Sequence, residues 1–197
     1  MPFRNLILIR HGQYENSRGD QGELTEYGVD QMKLTARAIK TTHIDAIYHS
    51  TITRAEHSAK IIHKAFPYIK LNSTELLREC VPSVPQRLLN LFELQRRINP
   101  HTEERTARCV EQFELAYDYF CAPLPSDADE TNELLVCHGN IIRYFVVRTL
   151  NAHVDSWINM LMHNGGITRI RIDPDGNVVL ISHNDIGHLP TPLRTHG

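Results

Sequence analysis

Five short stretches carry side chains suited to handling an oxyanion. They are Arg10-His11-Gly12-Gln13, His49-Ser50, Thr53-Arg54-Ala55, Leu77-Arg78-Glu79 and His138-Gly139-Asn140. Arginine offers a planar fork of donors that matches the charge and geometry of such an anion. A neutral imidazole is a nucleophile, and a carboxyl group can protonate a leaving oxygen. Taken singly, each residue has an ordinary reading. Arg10 closes a strand with a charge, His138 is a buried imidazole bonded to a carbonyl, and Glu79 is a surface carboxylate. Arg54 is odder, because a cation near a helix N-terminus is unfavourable unless an anion lies between them.

Placement separates the ordinary readings from the chemical one. Leu6–Ile9 reads as a buried strand. Thr25 is a candidate N-cap, and Val29, Met32, Ala36 and Ile39 then recur at helical spacing. Ile44–Tyr48 reads as a second strand, followed by a helix from Thr53 to about Ala65 with Ala55, Ala59 and Ile62 on one stripe. Leu71 opens a short third strand. Two helices follow, over about Gln86–Ile98 and about Glu103–Tyr119. Leu134–Cys137 is apolar enough to be central, and an apolar helix, Ile141–Leu150, comes directly after it. Ile167–Ile172 and Val178–Ser182 alternate at period two around Pro174-Asp175-Gly176-Asn177, a hairpin turn. This order predicts a three-layer α/β/α fold with a mostly parallel central sheet. In such sheets ligands bind beyond the carboxyl ends of the strands. The candidate residues follow four of those ends, which predicts one anion site with a nucleophile and an acid.

Composition narrows the field. The 197 residues suit one domain that buries its core without disulfides. A formal net charge of -2 argues against nucleic-acid binding by bulk charge. Cys80, Cys109, Cys121 and Cys137 form no C-x-x-C pair and read as reduced, mostly buried thiols of an intracellular protein. No apolar run reaches the length of a membrane span or a secretory signal. The 12 histidines include no H-x-x-x-H pair, so no metal is expected.

Leu8-Ile9-Arg10-His11-Gly12, Leu24-Thr25 with Gly28 and Gln31, Ser50 with Thr53-Arg54-Ala55, Leu77-Arg78-Glu79, and Cys137-His138-Gly139-Asn140 resemble the histidine phosphatase superfamily, in its phosphoglycerate-mutase-like branch. The order and spacing match along nearly the whole chain. The closer likeness is to the mitochondrial Ser/Thr protein phosphatase group, through Gln13-Tyr14, Asn140-Ile141-Ile142-Arg143-Tyr144, Asn164-Gly165-Gly166 and the tail Asp185-Ile186-Gly187-His188-Leu189-Pro190. That group carries a membrane segment and a Trp-Asp oligomerisation motif. This sequence shows neither, and its one tryptophan is Trp157. Some relatives place an asparagine at a fixed step after Arg-His-Gly. Here Ser17 takes that step and Asn16 is displaced by one, so neither is assigned a phosphate role.

The resemblance implies a phosphomonoester hydrolase working through a phosphohistidine, of the Ser/Thr protein phosphatase type. His11 is the implied nucleophile, Glu79 the acid and then base, and His138 completes the catalytic set. Arg10, Arg54, Gln13 and Asn140 are the implied substrate-binding residues, with no cofactor. Two guanidiniums beside Glu79 should lower its pKa, which opposes an acid role. The alternatives are a small-molecule (sugar-phosphate-like) phosphatase, a phosphoglycerate-type mutase and a non-catalytic scaffold. The expected organisation is one histidine-phosphatase domain over residues 1–197, with a small helical cap within about 80–132. Expected partners are a phosphorylated protein or a small phosphomonoester, without nucleic acid and without a membrane segment, and a homodimer is compatible with this. The expected compartment is the cytoplasm or another reducing one, with mitochondrial association implied by the resemblance alone.

Overall fold

The computed structural model describes residues 2–85, 88 and 102–196. Strand β1 (Arg4–Arg10) is followed by helix α1 (Glu26–Ile39), strand β2 (Ala46–Ser50), helix α2 (Thr53–His63) and strand β3 (Leu71–Thr74). Helix α3 (Thr102–Phe120), strand β4 (Thr131–Cys137), helix α4 (Gly139–Thr149) and the strands β5 (Ile167–Ile172) and β6 (Val178–Asp185) complete the order. The helix expected over about Gln86–Ile98 lies outside the described residues.

The strands form one mixed sheet in the order β3-β2-β4-β1-β5-β6. The first four are mutually parallel, while β5 pairs antiparallel with β1 and β6 pairs antiparallel with β5. Both faces are covered, and the alternation along each strand decides which residue goes where. Ile7 and Ile9 of β1, with Leu134 and Val136 of β4, pack under Met32, Ile39, Ala59 and Ile62 of α1 and α2. Leu6, Leu8, Leu135 and Cys137 face the other way, toward Phe113 and Phe120 of α3 and Phe145 of α4. Leu8 and Leu135 are fully buried, and truncating either to alanine costs about 2–5 kcal/mol in such a core.

Register then aligns the functional ends. Arg10 pairs with Cys137, His49 with Val136, and Ser50 with Thr74. The carboxyl ends of β1, β4, β2 and β3 therefore share one rim. The second strand lies two residues later than Ile44–Tyr48. Asp45 stops it at its start, because its carboxylate accepts the Asn132 N–H at 2.7 Å while its own N–H donates to the Asn132 carbonyl.

The cysteine expectation is corrected. Cys80 and Cys109 are joined in a disulfide across 29 residues of sequence, while Cys121 and Cys137 are free and buried. The pairing comes from α3 lying beneath the segment after β3, where Gln112 Nε2 donates to the carbonyls of Leu76 and Arg78. No local spacing rule reports that proximity. Burial pushes the Cys121 thiol up to about 12, so it stays protonated. Among the described residues no helix is long and apolar enough to cross a membrane.

Candidate active site

His11 leaves β1 held by backbone on both sides. Its N–H donates to the Cys137 carbonyl at 3.0 Å, and its own carbonyl accepts from Asn164 Nδ2 at 3.1 Å. The next residue must be small. A Cβ on Gly12 would lie 2.5 Å from the Gly28 carbonyl oxygen, and one on Gly28 would lie 2.0 Å from that of Gln13. This close approach lets the first turn of α1 seat against the His11 loop. Thr25 caps that turn by accepting the Gly28 N–H at 3.2 Å, a contact worth about 1 kcal/mol in helices generally.

The His11 ring is oriented by its neighbours. Nδ1 lies 2.8 Å from the Gly12 carbonyl, which accepts and so fixes the proton on Nδ1. Nε2 then carries the lone pair, and it accepts from Arg54 Nε at 3.1 Å. Burial holds the imidazole pKa well below its ordinary value, and the charges of Arg10 and Arg54 push it the same way. The ring is therefore neutral near pH 7, with its Nε2 electron pair engaged by the Arg54 guanidinium.

Two arginines and a second histidine surround that electron pair. Arg54 stands in the first turn of α2 and is 6% exposed. Its backbone carbonyl accepts from Ser58 Oγ at 2.7 Å, and that Ser58 hydroxyl in turn accepts the Gly12 N–H at 3.1 Å. One hydroxyl thus ties the His11 loop to the helix that carries Arg54. The Arg54 guanidinium also lies 4.4 Å over the Tyr14 ring, whose edge meets His11. Arg10 donates through Nη1 to the Met162 carbonyl. Burial lowers its pKa to about 10, which leaves it charged. His138 caps the start of α4, its ring 5.0 Å from that of His11. Its Nε2 meets Ser50 Oγ at 2.8 Å, while Nδ1 is buried with no hydrogen-bond partner among the described residues. Burial lowers its pKa as well. A buried, unpartnered ring nitrogen is costly unless a ligand supplies the missing partner.

Glu79 faces this cluster from the segment after β3. Both carboxylate oxygens accept the Asn140 backbone N–H, each at 3.2 Å, at the start of α4. Two effects compete at the group. Burial raises its pKa, and the Asn140 hydrogen bond with Arg10, Arg54 and Arg143 pulls it down, but burial prevails. The lowered value expected from the arginines alone is thus reversed.

The structure brings His11, His138, Arg10, Arg54 and Glu79 together. Gln13 lies at the edge, its Oε1 accepting from Thr25 Oγ1 at 2.8 Å. The Asn140 carboxamide is engaged within the protein, donating to the Cys80 carbonyl and accepting from Arg143 Nη1, each at 2.9 Å. His49 turns its Nδ1 to the Ser50 carbonyl at 2.9 Å, behind the cluster. Four supporting residues were missed from sequence: Tyr14, Ser58, Arg143 and Asn164. Tyr14, Arg143 and Asn164 stand in motifs that carry the resemblance but were given no role there, and Ser58 carried a local signal, being one helical turn after Arg54 on the same buried face. Among the described residues, no three His, Cys, Asp or Glu side chains gather as metal ligands.

The comparisons agree with this geometry. The family model "Histidine phosphatase superfamily (branch 1)" matches residues 6–185. A relative described as the mitochondrial serine/threonine-protein phosphatase Pgam5 of Caenorhabditis briggsae is 37% identical over 97% of this chain and 66% of its own length. The chain thus spans just under two thirds of that relative. A solved phosphoglycerate mutase from Plasmodium falciparum is 26% identical, with a TM-score of 0.64 over 97% of this chain and 96% of its own. The fold is also that of YhfR from Bacillus stearothermophilus, with a TM-score of 0.75 and 19% identity over 95% of this chain and all of the other. The match to the family model over most of the sequence, at a rim where the motif residues converge, establishes that the chain belongs to the histidine phosphatase superfamily.

Proposed function

We propose that the protein is a phosphomonoester hydrolase that works through a phosphohistidine at His11, with phosphorylated serine or threonine side chains as its substrate class. The observation that carries this is the state of His11. Its Nδ1 proton is given to the Gly12 carbonyl, and its Nε2 lone pair faces the cluster of Arg54, Arg10 and His138. The substrate class rests on the relatives named serine/threonine-protein phosphatases.

In the first step the Nε2–P bond forms as the P–O bond to the leaving group breaks in line. Arg10, Arg54 and His138 hold the three equatorial oxygens, and the spread charge of a loose transition state suits such a cradle. With the Ser50 hydroxyl donating to Nε2, the unpartnered Nδ1 of His138 would carry the ring proton and donate it to one of those oxygens. Glu79 gives its proton to the leaving oxygen. In the second step water attacks phosphorus, Glu79 takes a proton back, the Nε2–P bond breaks, and inorganic phosphate leaves. Both roles need a carboxyl group that is protonated before the first step, and its raised pKa suits that. One domain across the chain, with a cap within about 80–132, belongs to this reading, as do the roles of Gln13 and Asn140 at the rim.

The test is a trapping experiment. The protein should hydrolyse p-nitrophenyl phosphate in the presence of a chelator, be inhibited by vanadate, and yield an acid-labile, base-stable phosphoenzyme on quenching. His11→Ala should abolish that label. Wild-type turnover by His11→Ala, or loss of activity on chelation, would count against the reading.

A further inference from the structure

One arginine at the rim has no part in these steps. Arg78 directly precedes Glu79, and its Nη1 donates to Thr51 Oγ1 at 3.2 Å. Its Nη2 lies 2.9 Å from Asp20 Oδ2. The other oxygen of the same carboxylate lies 3.9 Å from Nη1 of Arg54. A single carboxylate therefore sits between the inner, phosphate-facing arginine and this outer one. Glu75 approaches the Arg78 Nη1 as well, at 3.5 Å.

Asp20 is poorly anchored by comparison with its partners. It lies in the 3-10 stretch Asn16–Gln21, with its side chain 57% exposed, while that of Arg54 is 7% exposed. Gly19, just before it, has φ 54 and ψ -127, and open space surrounds the position a Cβ would take there. An ion pair on such an exposed, one-sided tether is weak and exchangeable. A dianion arriving at Arg54 would repel the Asp20 carboxylate across a few ångströms. Its departure would leave the Arg78 fork open, beside the bound phosphoryl group and next to the acid that protonates the leaving oxygen.

We propose that Arg78 is a specificity-determining residue that pairs a second anionic group next to the scissile phosphate, and that Asp20 occupies its place in the free protein. The inference rests on the phosphatase reading and narrows its substrate class to phosphopeptides with an anionic neighbour. The neighbour is either a carboxylate side chain or a second phosphate. Both offer oxygens to a fork held on its inner side by Thr51.

Binding can be separated from turnover to test this. Three phosphoserine peptides, alike except for alanine, aspartate or a second phosphoserine on either side, are titrated into the His11→Ala protein. The two anionic peptides should bind about tenfold tighter than the alanine one, the scale of one well-placed charge pair. Arg78→Gln in the same background should bring the three affinities together. Asp20→Asn should tighten all three by removing the tethered competitor. A tighter complex with only one anionic peptide tells which anion the fork reads. Equal affinities with Arg78 present, or a preference that survives Arg78→Gln, overturn the proposal. Turnover of p-nitrophenyl phosphate by the unsubstituted protein is measured in parallel. A protein that prefers the anionic peptides but neither turns over nor forms a phosphoenzyme keeps the Arg78 inference and loses the hydrolase one.

Discussion

The inner and outer parts of the rim hold charge in different ways. Inside, His11, Arg10, Arg54 and His138 are each 7% exposed or less. The first three bind main-chain carbonyls or a tied neighbour, and His138 bonds Ser50 of the adjacent strand. Outside, Arg78 and Asp20 are held by side chains alone, Arg78 by Asp20, Thr51 and Glu75, and both are open to solvent. Buried groups whose partners are themselves fixed cannot reorganise cheaply, so they are in place before a ligand arrives, the arrangement in which electrostatic stabilisation is most effective. Charges anchored by side chains at a wet surface are screened and can exchange partners. This contrast is why the proposed chemistry is assigned to the inner set and the proposed selection to the outer one.

The sharpest way to break this contrast is Arg54→Lys. It keeps the charge but removes the fork, together with the Nε donor to His11 and the guanidinium face over Tyr14. Loss of a preorganised donor should lower kcat by about 10²–10³-fold. A variant within threefold of wild type would show that charge alone suffices inside.

As large on poor leaving groups such as alkyl phosphates is Glu79→Gln, for which a general-acid role sets a loss of at least about 10²-fold. With p-nitrophenolate leaving, the loss should be much smaller. The pH profile carries the sign. His11 must be neutral, and its pKa is depressed, so kcat/KM falls only when pH drops through that low value. Glu79 must be protonated, and its pKa is raised, so kcat/KM falls as pH rises through it. The alkaline limb should vanish in Glu79→Gln while the acid limb stays. An unchanged profile would remove Glu79 from proton transfer.

A subtler probe is Ser58→Ala, which deletes the hydroxyl shared by the Gly12 N–H and the Arg54 carbonyl. Leaving a buried N–H unpaired costs about 1–3 kcal/mol, read as a lower Tm, and the drift of His11 should reduce kcat more than it raises KM. The smallest effect belongs to the outer set. Raising ionic strength from about 0.05 to 0.5 M should weaken an acidic-flanked phosphopeptide by about threefold more than a neutral one, since screening acts mainly on exposed charges. Equal salt sensitivity for both would erase the inner–outer distinction.

Much of the scaffold was legible before the structure, because burial imposes a period on the chain. The four central strands, the Thr25 cap and the Ala55, Ala59, Ile62 stripe are all local patterns. The second strand was misplaced by two residues because a side-chain bond from Asp45 to another strand sets its start. Among the candidate residues, those in motifs at strand ends were named from sequence and stand together at the rim. Tyr14, Ser58, Arg143 and Asn164 were given no role, because each acts by touching a residue distant in sequence or on an adjoining turn. The thiol reading failed for the same reason, Cys80 and Cys109 being neighbours only through the packing of α3.

By itself, then, the sequence determined the periodic elements and the kinds of group at their ends, since both follow from residue type and local spacing. The protonation and direction of those groups were decided by tertiary structure. In the proposed nucleophile, His11, the lone pair lies on Nε2 because the Gly12 carbonyl holds the Nδ1 proton. Glu79 is fit to be an acid because burial outweighs the three arginines that would ionise it. Both balances depend on desolvation and on charges several strands away, and these exist only once the sheet has assembled.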